Sequence, residues 1–206
     1  MELSESEISA LVRISVFVGL HDTTHLRREL QKSIRRKVPV ELIREAILQS
    51  YLFAGYAAAI NAFITLNEIA GNDADFLREP SESLMKWKSR GKRLCRKIYG
   101  KQYEKLIRNM KSLHPDLAEW MLWEGYGKVL SRPFLSPKVR ELLIVGMTAA
   151  LGAERQFHSH VRGALHVGAT PGQLKLTFRQ VGPFLTKVSK QKLKTILERL
   201  LVDDTA

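Results

Sequence analysis

An all-α fold is what the sequence predicts, and three observations predict it. Serine–proline, glycine and threonine–proline pairings punctuate residues 136–173 as helix caps. Residues 1–75 show the same order of helix, turn, helix, proline turn and helix. Between these stretches lie two further helical runs, separated by turn formers.

Taken in order, Ile8 to Leu20 forms an apolar helix that Gly19-Leu20-His21-Asp22 breaks, and a second helix runs from about Thr24 to Arg36. Val38-Pro39 opens a third, ELIREAILQSYLFAGYAAAINAFITLNEI, whose glycine and alanines let helices approach closely. GNDADFLREPSES, rich in turn formers and acids, is the linker candidate. It separates a unit of residues 1–75 from a unit of residues 76–206. Next come LMKWKSRGKRLCRKIYGKQYEKLIRNMKSL and DLAEWMLWEGYGKVL, joined at His114-Pro115-Asp116. The second of these places Leu117, Trp120, Met121 and Trp123 together, as cores and subunit interfaces do.

Ser136 before Pro137 reads as an N-cap with proline at the first helical position, where its missing N–H costs nothing. That helix runs to Leu151, and Gly152 supplies the left-handed residue that ends it. A further helix starts near Ala153 and stops at Gly168, after which Thr170, Pro171 and Gln173 form a capping box. VGPFLTKVSKQKLKTILERLL closes the chain as a charged amphipathic helix.

With 206 residues, 45% of them hydrophobic, there is chain enough for one large domain or two small ones with real cores. The single cysteine, Cys95, permits no internal disulfide and points to a reducing compartment. An acidic start and Arg13 within the first apolar run argue against a signal peptide or membrane anchor, so the expectation is a cytoplasmic protein with no membrane partner. The net charge of +12 concentrates in RRELQKSIRRK and KWKSRGKRLCRKIYGKQYEK. Neither run is interleaved with stacking aromatics, and no helix-turn-helix or zinc module is legible. Solvated faces, or attraction of small anionic substrates, are the preferred meaning; a nucleic-acid-associated protein is kept as an alternative.

The helix from Pro137 is apolar on every side from Leu142 to Leu151, which describes a helix enclosed by protein. Glu141 sits at the edge of that run, in line with Ile144, Val145 and Thr148, and is a candidate acid or base. On the next helix, at about 100° per residue, Phe157, Val161, Ala164 and Leu165 form the buried stripe. His160 lies about 60° to one side of Phe157, while Glu154 and His158 occupy the opposite flank, one turn apart. Arg162 and His166 point further outward. His158 and His160 face about 160° apart and cannot share one metal ion. His21 and His25 have ligand spacing but no third ligand, so no metal site is predicted. With no phosphate loop, dinucleotide fingerprint or nucleophile elbow, the sequence predicts no cofactor.

RELLIVGMTAALGAERQFHSHVRGALHVGATPGQL resembles the core of the carboxymuconolactone decarboxylase family, and RGKRLCRKIYGKQYEKL and WEGYGKVLSRPFLSPKVREL resemble the segments leading into it. The resemblance implies an alkylhydroperoxidase D-like helical fold, with residues 1–75 a degenerate copy of the unit that carries the motif at 136–173. In the peroxidase branch, a Cys-x-x-Cys pair works with a glutamate and a histidine. Alignment on the Gly168 turn puts that glutamate at Glu141, that histidine at His160 and the two cysteine positions at Ala153 and Gln156. Dithiol peroxide reduction therefore lacks its thiols. The corresponding positions in the first unit are Ala10 and Glu29, which assigns any site of this type to the second.

The resemblance implies a lyase type of enzyme: cofactor-free decarboxylation or isomerisation of a small, anionic, lactone-like or carboxylated compound, by a homo-oligomer. Glu141 and His160 would be catalytic; His158, Arg162 and Glu154 would bind substrate. The alternatives are a catalytically silent scaffold of the same fold and the nucleic-acid-associated protein named above.

Overall fold

A computed structural model describes residues 3–71 and 80–203. Its regular structure is helical throughout: α1 (Glu5–Gly19), α2 (Thr23–Arg35), α3 (Val40–Ala70), α4 (Leu84–Tyr99), α5 (Tyr103–Leu113), α6 (Pro115–Trp120), a π-helix (Met121–Leu130), α7 (Pro137–Ala150), α8 (Glu154–His166), α9 (Pro171–Val181) and α10 (Lys187–Asp203). Most of the linker GNDADFLREPSES lies outside the described residues, and the boundary expected near residue 75 falls there with it.

The caps do what their residue types favour. Ser4 accepts from the Glu7 N–H while the Glu7 carboxylate accepts from the Ser4 N–H, and Thr170 and Gln173 make the same reciprocal box ahead of α9. Ser136 caps α7, with Pro137 at its first position. Gly152 takes a positive φ of 66° just beyond the end of α7. α3 is interrupted at Gly55, whose φ of 84° and ψ of 166° leave the helical region and divide the helix in two.

α7 is the axis of the molecule, buried from Val139 to Ala149. Around it one hydrophobic cluster draws on both ends of the chain, Leu11 and Ile14 of α1, Ile43 and Ile47 of α3, Phe157 and Val161 of α8, Leu174 of α9 and Leu193 of α10, and a second gathers Cys95 and Ile98 of α4, Tyr126 and Leu130 of the π-helix and Ile144 of α7. A buried ion network ties α3 to α7. Glu45 accepts from Arg140 at 2.9 Å and from Arg132 at 2.6 Å, and Gln49 accepts from Arg140 at 3.0 Å.

DLAEWMLWEGYGKVL departs from the simple helix read in the sequence. It is α-helical only to Trp120 and then widens into ten residues of π-helix. This stretch crosses α4 where two glycines bring the backbones into contact. A Cβ on Gly91 would lie 1.8 Å from the Leu122 carbonyl oxygen, and one on Gly127 would lie 2.1 Å from that of Trp87. No side chain fits at either position. Trp123 stacks on Trp87 with ring centres 6.5 Å apart, while Trp120 is 54% exposed.

On α3, Ala58, Ala59 and Ala62 are buried and Tyr56, Ile60 and Ile64 are exposed. By length and composition α3 is the one helix among the described residues long and apolar enough to cross a membrane, with 33% of its most apolar window buried.

Candidate functional site: a buried Glu–His pair over a cavity

Glu141 is 1% exposed, in the middle of the core, where an unpartnered carboxylate would be costly. It finds its partner across the α7–α8 hairpin: Oε2 lies 2.8 Å from Nδ1 of His160, itself only 6% exposed. Gly163, one turn along α8, makes the approach possible. A Cβ there would stand 2.8 Å from Glu141 Oε2 and 2.7 Å from Ile98 Cγ2. The Phe53 ring of α3 meets the imidazole edge to face, with centres 5.6 Å apart. With Nδ1–H donating to Glu141, the ring presents Nε2 to the space beyond.

That space is a cavity of about 460 Å³. His160, Ser159 and Gln156 of α8 line one side, and Leu52 and Phe53 of α3 and Tyr99 of α4 line others. Leu106 and Met110 of α5, with Trp120, Met121, Glu124 and Tyr126, complete a largely apolar wall. Its charged groups are Glu124, which accepts a 3.1 Å hydrogen bond from the Tyr51 hydroxyl, and Arg155 at the exposed start of α8.

Two tyrosines that sequence reasoning did not select, Tyr99 and Tyr126, line the same cavity as His160. Tyr126 donates to Tyr99 at 2.8 Å, which frees the Tyr99 hydroxyl proton for another acceptor. Burial raises the pKa of both phenols, and the negative charge of Glu141 raises them further, so both remain protonated donors near neutrality. Cys95, on the same inner face of α4, is fully buried and free. Burial, then Glu141, pushes its thiol up to about 12.

The structure does not bring the other predicted residues to this cavity. His158 and Arg162 line a separate recess of about 330 Å³ on the other side of Ser159. Glu154 is exposed, with its carboxylate 3.4 Å from Lys192 rather than on His158. Desolvation lowers the His158 pKa, and the nearby Arg162 and Arg199 lower it further. Arg140, next to Glu141 in sequence, carries its guanidinium to Glu45 and Gln49. His25 bonds Asp22 at 2.7 Å, and no group of three or more metal-ligating side chains occurs among the described residues.

A helical bundle in which a core glutamate holds a histidine over an apolar cavity is the class of protein the fold and geometry define. Sequence comparison agrees: residues 115–190, which include the π-helix, Glu141 and His160, match the model of the carboxymuconolactone decarboxylase family. The chain belongs to that family. It is 31% identical over 161 residues to Peroxisomal protein 2 of Schizosaccharomyces pombe, a match covering 77% of this chain and 75% of that one. An uncharacterised 15.0 kDa protein of Paracoccus denitrificans is 32% identical over 100 residues, 48% of this chain and 75% of its own. The 4-carboxymuconolactone decarboxylase of Acinetobacter baylyi is 28% identical over 75 residues, 36% of this chain and 56% of the enzyme. The likeness to the peroxisomal protein thus runs through most of both chains, whereas that to the decarboxylase is confined to about a third of this one.

Proposed function

We propose that this protein is a cofactor-free acid–base enzyme that decarboxylates or isomerises a small lactone-like or carboxylated compound in the cavity beneath His160. The observation that carries the reading is the 2.8 Å bond from His160 Nδ1 to a fully enclosed carboxylate, which fixes the ring and aims Nε2 at a space of substrate size. Glu141 is then a positioning residue, and His160 is the group that meets the substrate.

In a decarboxylation the carbon–carbon bond to the carboxylate breaks and CO2 leaves. The electron pair moves through the adjoining double bond onto a carbonyl oxygen. Tyr99, polarised by the Tyr126 hydroxyl behind it, donates to that oxygen as its charge grows, in surroundings dry enough to give one hydrogen bond real weight. His160, protonated at Nε2, delivers the proton that restores the carbon. Isomerisation uses the same parts, with His160 first removing a proton from carbon and then returning it elsewhere. A homo-oligomer belongs to the same proposal, with the exposed row Tyr56, Ile60 and Ile64 meeting another copy. Light scattering that gave a monomer throughout the micromolar range would remove that part.

A panel of carboxylated γ-lactones and β-keto acids tests the chemistry. CO2 release and carbon-bound deuterium uptake in D2O would be followed for wild type and His160→Gln. Turnover that falls by about two to four decades in the variant, the scale for a positioned acid or base, supports the reading. Equal rates in the two proteins, or no turnover of any member by wild type, would sink it.

A further inference from the structure

The cavity beneath His160 holds a second acid–base side chain, and the chemistry derived for His160 leaves it without a task. Glu124 lines the cavity from the π-helix. Its carboxylate is half-buried and accepts one hydrogen bond, from the Tyr51 hydroxyl at 3.1 Å. Burial raises the Tyr51 pKa and the negative charge of Glu124 raises it further, so the phenol remains a neutral donor to the carboxylate. Among the described residues Glu124 makes no ion pair.

An ionised carboxylate has about four sites at which it can accept a hydrogen bond, so the Tyr51 bond leaves most of that capacity open toward a largely apolar space. A carboxylate in such surroundings is costly without a counter-charge. Arg155, the other charged group of the lining, stands at the exposed start of α8, where water and salt screen it. Phe53, Tyr99, Trp120 and Tyr126 line the same cavity, and the faces of aromatic rings attract cations. These features rank the groups a ligand could offer. An anion is repelled, and a hydroxyl supplies a donor but leaves the charge uncompensated. A metal ion of the calcium or magnesium kind needs several oxygen ligands, and no group of three or more metal-ligating side chains occurs among the described residues. An organic ammonium supplies donors and opposite charge together, and its carbon substituents match the apolar walls.

We propose that Glu124 forms an ammonium subsite within the His160 cavity, so that the compound bound there carries a protonated amine held by this carboxylate among the aromatic side chains. The inference rests on the acid–base reading of His160 only in making that compound the substrate. It narrows the substrate class to lactone-like or carboxylated compounds that also bear an ammonium group. The same carboxylate disfavours a substrate carboxylate beside it, which sets the orientation of the compound in the cavity.

Benzylamine, benzyl alcohol and benzoate are alike in shape and differ in charge, and they serve as probes. Each is titrated at neutral pH and low ionic strength into wild type and Glu124→Gln, both labelled with 15N at histidine. Calorimetry reads affinity, and the His160 ring signals report whether the probe sits in this cavity. Wild type should bind benzylamine, as its ammonium, saturably and at least about tenfold more tightly than benzyl alcohol, the scale of one charged hydrogen bond. Benzoate should bind most weakly. Glu124→Gln keeps the size of the side chain; it should bind benzyl alcohol as wild type does and lose the preference for the ammonium. No saturable binding of benzylamine, equal or tighter binding of either other probe, the same preference in Glu124→Gln, or binding that leaves the His160 signals unmoved overturns the subsite. An ammonium preference without turnover of any panel compound would fault the acid–base reading and keep the subsite; turnover by a protein without that preference would do the reverse.

Discussion

The α1–α2 hairpin and the α7–α8 hairpin each bury a glutamate and give it a cationic or protonatable partner across the turn. In the first, Glu29 accepts from Arg13 at 2.6 Å, and Arg13 reaches on to Gln180 of α9 at 2.8 Å. In the second, Glu141 accepts from His160 at 2.8 Å, and the far side of the ring meets a cavity. Both acids are enclosed, Glu29 at 7% exposed and Glu141 at 1%. The partners decide what each pair is for. A guanidinium does not give up its proton in a protein, so Arg13–Glu29 can only hold α1, α2 and α9 together. An imidazole gains and loses a proton in the accessible pH range, and here one of its nitrogens is left facing open space. Burial of an ion pair says little about function; an exchangeable proton beside a cavity says much more.

The largest effects should fall on catalysis and on the second hairpin alone. Glu141→Gln and His160→Gln should each reduce turnover by about two to four decades, and the double variant should be little worse than either, because the two act as a unit. His158→Gln should leave the chemical step nearly unchanged, since that ring lies across Ser159 from the reacting centre. Single-turnover measurements on the four variants settle the matter, and full activity in His160→Gln would leave the two hairpins equivalent.

Stability should show the opposite distribution. Glu29→Ala strands a buried guanidinium end, a change that costs about 3–5 kcal/mol when the survivor is wholly enclosed. The Arg13 side chain retains 18% exposure, so solvent screens part of that cost and about 2–3 kcal/mol is the better expectation. Turnover per folded molecule should not change. Urea denaturation paired with an activity assay would break the comparison if Glu29→Ala damaged catalysis without loss of stability.

Gly163→Ala joins the two kinds of effect in the second hairpin. Its methyl would stand 2.8 Å from Glu141 Oε2, forcing the carboxylate off the imidazole or the helices apart. Overpacking of this sort costs about 1–3 kcal/mol, and a displacement near 1 Å of a catalytic group can cost about a hundredfold in rate. The stability loss would be read by denaturation and the rate by the same assay. Wild-type behaviour in both would show that α8 has slack at this point.

What could be read from the sequence was what short segments decide for themselves. Ser136 with Pro137, Gly152, and Thr170 with Gln173 are local signals: α7 begins at Pro137 and ends shortly before Gly152, and α9 begins at Pro171. The helical wheel also put His160 beside the buried stripe and His158 on the other flank, because 100° per residue needs no tertiary information. The rest of the site depends on contacts between distant segments. Tyr99 and Tyr126 meet only because Gly91 and Gly127 let two backbones touch, and the π-helix that carries Tyr126 has no signature in a 3.6-residue period. Two glycines inside helical patterns were the available hint of a close crossing. Glu154 finds Lys192 on α10, a pairing no reading of α8 alone contains.

The smallest effect expected is at Cys95, and it concerns thiol chemistry. The resemblance would put Ala153 and Gln156 where the peroxidase branch carries its thiols, and the one cysteine thiol is fully enclosed with its pKa raised from 9.0 to about 12. A nucleophilic thiol needs the thiolate, so native protein at pH 8 should resist iodoacetamide and label only as fast as it unfolds. The linkage has a definite sign. A group whose folded pKa lies above its unfolded one favours the folded state fully below the unfolded value, and that contribution disappears as pH rises toward the folded value. Cys95 therefore helps stability up to about pH 9 and loses its contribution between there and about pH 12. Tyr99 and Tyr126 are raised in the same direction and add alkaline sensitivity of their own, but they are common to wild type and Cys95→Ser. The difference between the two proteins' stability curves above pH 9 thus isolates the thiol: wild type should fall more steeply, while turnover at neutral pH should be unchanged. Thiol-dependent peroxide reduction that vanished in Cys95→Ser would transfer the reactive centre from His160 to α4 and reverse the contrast between the two hairpins.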